Sequence, residues 1–256
     1  MLGPEFAVVD SYPARVRLPD EPLMLVDRIL SVEGPMGSLS SGRIVTEHDV
    51  LPDAWYLDGG RCPISIAIEA GQADLFLCSY LGIDQAVRGR RTYRLLDAAV
   101  TFHGRLPRPG DVVRYDIRID RFVRQGETYL FFFQFDGAIN GELVLSMRNG
   151  CAGFFTAEEI EHSGGIILTD DDVRPESGRL PADWRPLTPM GVESYDDAAV
   201  EALRQGDLVA CLGPSFERLG LQDPLRLPSG RMKLFDRVLE LDPTGGRYGL
   251  GLIRTE

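Results

Sequence analysis

The chain has 256 residues, 44% of them apolar, and a formal net charge of −12. That length gives one large domain, or one domain of about 150 residues with further elements, and the acidic balance argues against a nucleic-acid partner, which would need a density of Lys and Arg. The longest apolar stretch, 64–81, is broken by Ser65, Glu69, Gln72, Asp74 and Ser79, so it reads as a buried helix and not a membrane span, and with no signal-peptide pattern at the start a cytoplasmic protein is expected.

In chain order, residues 22–34 read as a strand ending in a Gly-Pro turn, and 41–47 as a second strand. Residues 48–62 read as a loop holding Pro52, Gly59 and Gly60. Pro63 suits the first turn of a helix, where its missing N–H costs nothing, and the helix is expected to run from 63 to 81 and stop at Gly82. Four strands follow at 91–103, 111–124, 126–138 and 142–156, read as an antiparallel meander with hairpin turns at Pro107-Arg108-Pro109-Gly110 and Asn140-Gly141. In 113–120 apolar and charged residues alternate, as a strand with one buried face requires. The class is α+β: a curved antiparallel sheet around one long helix, over residues 1–157.

Residues 158–210 read as a linker, rich in Pro, Gly and Asp, with a short helix at 195–205. The remainder, 211–256, repeats the start of the chain. Leu2-Gly-Pro-Glu-Phe6 returns as Leu212-Gly-Pro-Ser-Phe216, and Arg17-Leu-Pro19 as Arg226-Leu-Pro228. Asp27-Arg28 returns as Asp236-Arg237, and Gly42, Ile44, Thr46 and Glu47 return as Gly251, Ile253, Thr255 and Glu256. The expectation is a duplicated fold whose second copy is cut short, leaving its helix and meander in a longer polypeptide.

The four cysteines are scattered, with no C-x-x-C pair, and His48, His103 and His162 lie far apart, which argues against a structural zinc site. Glu69 sits inside the apolar helix, and Ser65, Glu69 and Gln72 share one face. A carboxyl there is costly unless paired or protonated; the alternative is a rim Glu bridged to an Arg. His48 is expected to cap or lie at the surface, His103 to bond backbone, and His162 to be solvated. Arg88, Arg90, Arg91 and Arg94 form a basic cluster on an acidic chain: a docking patch for an acidic partner, or a solvated loop.

Leu25-Val-Asp-Arg-Ile, Trp55-Tyr56, Pro63-Ile-Ser-Ile-Ala-Ile-Glu-Ala and Leu106-Pro-Arg-Pro-Gly-Asp resemble the hotdog dehydratases of fatty acid synthesis. The run Trp55 to Gln72 looks closest to the dehydratase region of bacterial polyunsaturated fatty acid synthases. The resemblance implies a hotdog fold, here the first half of a double hotdog, and dehydration of 3-hydroxyacyl thioesters to 2-enoyl thioesters. It implies that Glu69 is the helix carboxyl, and that Ile64, Ser65, Gln72, Trp55 and Tyr56 line the substrate site. It also implies that no resident cofactor is used: the substrate rides on the phosphopantetheine arm of an acyl carrier protein, for which the arginine cluster is the candidate dock. The family's base is a His in the loop before the helix. Here residues 57–62 hold none, and Ile64 stands where the family often has Gly. The base is therefore expected from a second hotdog, leaving this chain alone inactive and paired as a homodimer. The alternatives are a non-catalytic hotdog that is a structural or acyl-binding partner, and more distantly a thioesterase hotdog.

Overall fold

The computed structural model describes residues 3–58, 60–220 and 226–256; Leu2 and Gly59, both used above, lie outside the described residues. The chain forms two units, Met1–Gly164 and Gly165–Glu256.

The first unit is a six-stranded antiparallel sheet with three short helices between its second and third strands. Its strands are β1 (Arg28–Glu33), β2 (Gly42–Asp49), β3 (Thr92–Phe102), β4 (Val112–Gln125), β5 (Thr128–Ile139) and β6 (Glu142–Phe155), in the order β1-β2-β4-β5-β6-β3. This is the hotdog arrangement, and it corrects two sequence expectations. The first strand begins at Arg28 and not at residue 22. Residues 107–110 do not close a hairpin, because β3 pairs with β6 at the far edge while β4 pairs with β2 and β5. The meander is three strands long. The expected turn at Asn140-Gly141 does join β5 to β6, with both residues at positive φ (53° and 84°), as a two-residue hairpin demands.

Alternation along β5 puts Phe131, Phe133 and Phe135 on the buried face, where they meet Ile44, Tyr115, Ile117, Ile119, Leu145 and Phe154. Leu77, Leu81 and Ile83 close the core from the helical side. The buried aromatic rows and the aliphatic side chains packed around them supply the apolar area that holds the unit together.

The expected single helix over 63–81 is broken. Helix α1 covers Ile64–Glu69, α2 Asp74–Tyr80 and α3 Ile83–Val87. Between α1 and α2 the ladder tightens: the N–H groups of Gly71, Gln72 and Leu75 donate to the carbonyls of Ile68, Glu69 and Gln72, three residues back instead of four. Gly71 sits at the break. A Cβ there would sit 2.8 Å from the Phe135 ring, so only glycine lets the backbone pack this closely on the sheet. Gly82, where the helix is expected to stop, has φ +98° and separates α2 from α3.

A short helix α4 (Ala157–Glu161) follows β6, opened by a capping box between Thr156 and Glu159. The second unit holds α5 (Asp170–Val173), β7 (Glu193–Tyr195), α6 (Asp197–Arg204), α7 (Leu208–Leu212), β8 (Val238–Asp242) and β9 (Leu252–Thr255), with a three-stranded sheet in the order β7-β8-β9.

The sequence repeat is also a repeat of geometry. β1 and β2 pair Ile29 with Thr46, Ser31 with Val45, Val32 with Ile44 and Glu33 with Arg43, with a bulge between Ile29 and Ser31. β8 and β9 pair Val238 with Thr255, Glu240 with Arg254, Leu241 with Ile253 and Asp242 with Leu252, with the bulge between Val238 and Glu240. The register and the bulge are the same after a shift of 209 residues. The opening repeats as well, at a shift of 210: Gly3 (φ 103°, ψ 169°) and Gly213 (φ 91°, ψ 172°) each precede a Pro-led 3₁₀ turn.

Candidate functional site

Helix α1 carries Glu69 at its last residue, half-buried. The 3₁₀ turn after it stacks residues three apart, and this brings Gln72 over Glu69: the Gln72 side-chain N–H donates to Glu69 Oε2 at 2.6 Å. Burial raises the Glu69 carboxyl above the usual glutamate range. Of the other residues expected on this face, Ser65 and Ile64 are exposed, Ile64 at 53%. Glu69 and Gln72 are thus brought together, while Ile64 and Ser65 lie at the open end of the helix.

The aromatic pair before the helix goes elsewhere. Trp55 donates its indole N–H to the Pro22 carbonyl at 2.9 Å. Tyr56 is buried, and its hydroxyl lies 2.6 Å from His48 Nε2. The other ring nitrogen of His48 lies 3.0 Å from Asp27 Oδ2, and that oxygen also accepts the Asp49 backbone N–H at 2.7 Å. The ring therefore donates through Nδ1 to Asp27 and accepts through Nε2 from Tyr56. Burial, opposed by Asp27, lowers the His48 pKa, so the imidazole is neutral at physiological pH. Burial also raises the Tyr56 phenol and pushes the neighbouring Cys62 thiol up to about 12. This corrects the expectation that His48 caps or lies at the surface: it is buried at the centre of an Asp27–His48–Tyr56 chain, exposed at its Asp27 end, that ties the loop before α1 to β2 and to the residue preceding β1.

His103 likewise departs from expectation, since its ring bonds the Ser146 hydroxyl at 2.8 Å and not the backbone. His162 is exposed at the end of α4, bonded to the Glu158 carbonyl. The arginine cluster divides. Arg91 is tied down by Glu159 at 2.7 Å and by the Phe154 carbonyl, and Arg94 bonds the Tyr93 carbonyl. Arg88 and Arg90 are exposed.

Two features were missed in the sequence. The Asp27–His48 pair spans 21 positions and becomes adjacent only through the β1–β2 register. Asp74 was visible as a break in an apolar run, but nothing in the run shows that it is fully buried. Among the described residues there is no group of three or more His, Cys, Asp and Glu side chains arranged for a metal ion, and no helix long and apolar enough to cross a membrane.

A family model described as the FabA-like domain matches residues 18–148, which contain β1, β2, α1 to α3 and most of the sheet. The chain is 36% identical, over 99% of its length, to a polyunsaturated fatty acid synthase polypeptide of Thraustochytrium sp., and spans 17% of that relative's length. Among solved structures it is similar to the dehydratase heterocomplex ApeI:P of Xenorhabdus doucetiae, at 17% identity and a TM-score of 0.41 over 60% of this chain and 93% of that one. It is also similar to a protein from Thermus thermophilus, at 18% identity and a TM-score of 0.36 over 54% and 99%. With more than half its residues inside the matched model, the chain belongs to the FabA-like domain family and carries its hotdog fold.

Proposed function

We propose that this chain is the acid-bearing hotdog of a 3-hydroxyacyl-carrier-protein dehydratase in a polyunsaturated fatty acid synthase. The observation that carries the reading is Glu69: a half-buried carboxyl at the end of α1, raised by burial and held by Gln72. A carboxyl that holds its proton more tightly than an ordinary glutamate can pass it to the 3-hydroxyl of a bound thioester as that group leaves as water. The electrons of the C2–H bond form the 2,3 double bond, and the C2 proton goes to a base. That base comes from a second hotdog, because residues 57–62 hold no His and His48 is committed to Asp27 and Tyr56.

Strand β3 is the edge where the second hotdog would add, with Leu95, Leu96 and Phe102 exposed on it. The repeated hairpin β8–β9 supports a tandem arrangement, and in its absence two copies of this chain would pair through the same edge. The substrate would arrive on the phosphopantetheine arm of an acyl carrier protein, with Arg88 and Arg90 left to meet its acidic surface. The reaction so written uses no further cofactor, and its compartment is the cytoplasm.

The test is Glu69→Gln in the synthase polypeptide that carries this chain, assayed on a 3-hydroxyacyl thioester. Loss of at least about 100-fold in kcat, with the fold retained, is expected for removal of a general acid. Full activity in that variant favours the second reading, a hotdog that pairs or holds acyl chains without catalysis. The observation favouring that reading is the exposed Ile64 at the head of α1, where the family often has Gly.

A further inference from the structure

Five residues after Glu69 the chain buries a second acid. Asp74 opens α2 with a side chain 0% exposed, and neither of its oxygens has a hydrogen-bond partner among the described residues. The backbone N–H groups of Asp74 and Leu75 lie beside it and favour its charged form, but fall short of hydrogen-bond geometry. On the sheet side, the Tyr93 hydroxyl of β3 is also buried and unpartnered, in the electrostatic reach of Asp74, Cys78 and Glu69. The titratable groups around the site are therefore Glu69 from α1, Cys78 from α2, Asp84 from α3 acting on Cys78, and Tyr93 from β3. None of these groups is a cation.

Two carboxyls in one apolar surround do not both ionise cheaply. Glu69 is part-solvated and accepts an N–H from Gln72, which favours its anion. Asp74 has neither solvent nor a donor among the described residues. We propose that Asp74 is a second, proton-holding carboxyl of the Glu69 site: a positioning residue that stays in its acid form when Glu69 gives up its proton, so that the pair never carries two charges. This rests on the reading of Glu69 as the acid. The direction of the shifts agrees, since burial and the Glu69 charge push Asp74 up to about 7.

Carboxyl-carbon NMR titration of the intact chain tests it without substrate, with Asp74 assigned through its own backbone. The Asp74 resonance should titrate near neutrality, and in Glu69→Gln it should move to lower pH. An Asp74 that is ionised at about pH 5, or that ignores Glu69→Gln, overturns the proposal. Asp74→Asn gives a second arm. The folded value lies above the ordinary 3.8, so wild-type stability falls as pH rises from that value to about 7. The Asn variant should not show this fall, and a wild type without it overturns the proposal. If the Asn variant does not fold, the Glu69→Gln arm still decides, because it leaves residue 74 intact. A synthase indifferent to Glu69→Gln defeats the dehydratase reading instead, and the titrations separate the two failures.

Discussion

Hairpins β1–β2 and β8–β9 are one object at two levels of burial. They share register, bulge and even the closing ion pair: Arg28 Nε meets Glu47 at 2.9 Å, and Arg237 Nη1 meets Glu256 at 3.3 Å. The Asp27 N–H donates to the Glu47 carbonyl, and the Asp236 N–H to that of Glu256. Their surroundings differ. Ile44 is 0% exposed between β4 and the helices, whereas its counterpart Ile253 is 58% exposed. A two-stranded ribbon is thus shaped by local sequence, through the bulge and the strand-end pairs, while its burial depends on the helix and central strands.

That contrast can be broken most directly at the repeated isoleucine. Ile44→Ala should cost about 2–5 kcal/mol of unfolding free energy, because it opens a cavity in a closed core. Ile253→Ala should stay within about 0.5 kcal/mol, as at an ordinary surface site. Hydrogen exchange resolved by unit reads both, and equal losses would show that the second hairpin is as buried as the first.

The repeated aspartate comes next. Asp27→Ala leaves His48 Nδ1 and the Asp49 N–H without their acceptor, at about 1–3 kcal/mol. Asp236 pairs with the exposed Lys233, and its replacement should leave stability unchanged. The His48 pKa is lowered in the folded chain, so the unfolded chain takes up the proton first. The stability tied to the neutral ring is complete above the ordinary histidine range, and is lost as pH falls through that range towards the folded value. His48→Gln should flatten this slope in urea unfolding, and a slope that persists would sink the buried-imidazole account.

The smallest effect belongs to the shared ion pair. Arg28→Ala and Arg237→Ala should each leave the unfolding midpoint in place, for exposed pairs are screened and entropically costly. A clear drop for Arg28 alone would mean that its two-point grip on Asp49 counts for more than exposure suggests.

Much of this could be read from the residues. Period-two alternation located β4, Asn140-Gly141 located the turn from β5 to β6, and the 209-residue offset located the second hairpin. What escaped was set by distant partners. β3 crosses to the outside of β6, a choice that depends on sheet packing and leaves no mark in 107–110. The helix breaks beside Gly71, where Phe135, more than sixty positions away, leaves no room for a side chain. Glu69 was legible as an odd charge in an apolar run. Asp74 lay in the same run, but its isolation depends on Tyr93 and α3, so burial of both oxygens could not be inferred from spacing.

The bond from Trp55 to the Pro22 carbonyl has a spectroscopic consequence. The chain has two indoles, Trp55 on the loop leading to Glu69 and Trp184 in the second unit. Neither belongs to the phenylalanine-rich core. Emission from a Trp184→Phe chain would therefore report on the loop alone, turning one native side chain into a fluorescent gauge of how firmly the segment before α1 is held.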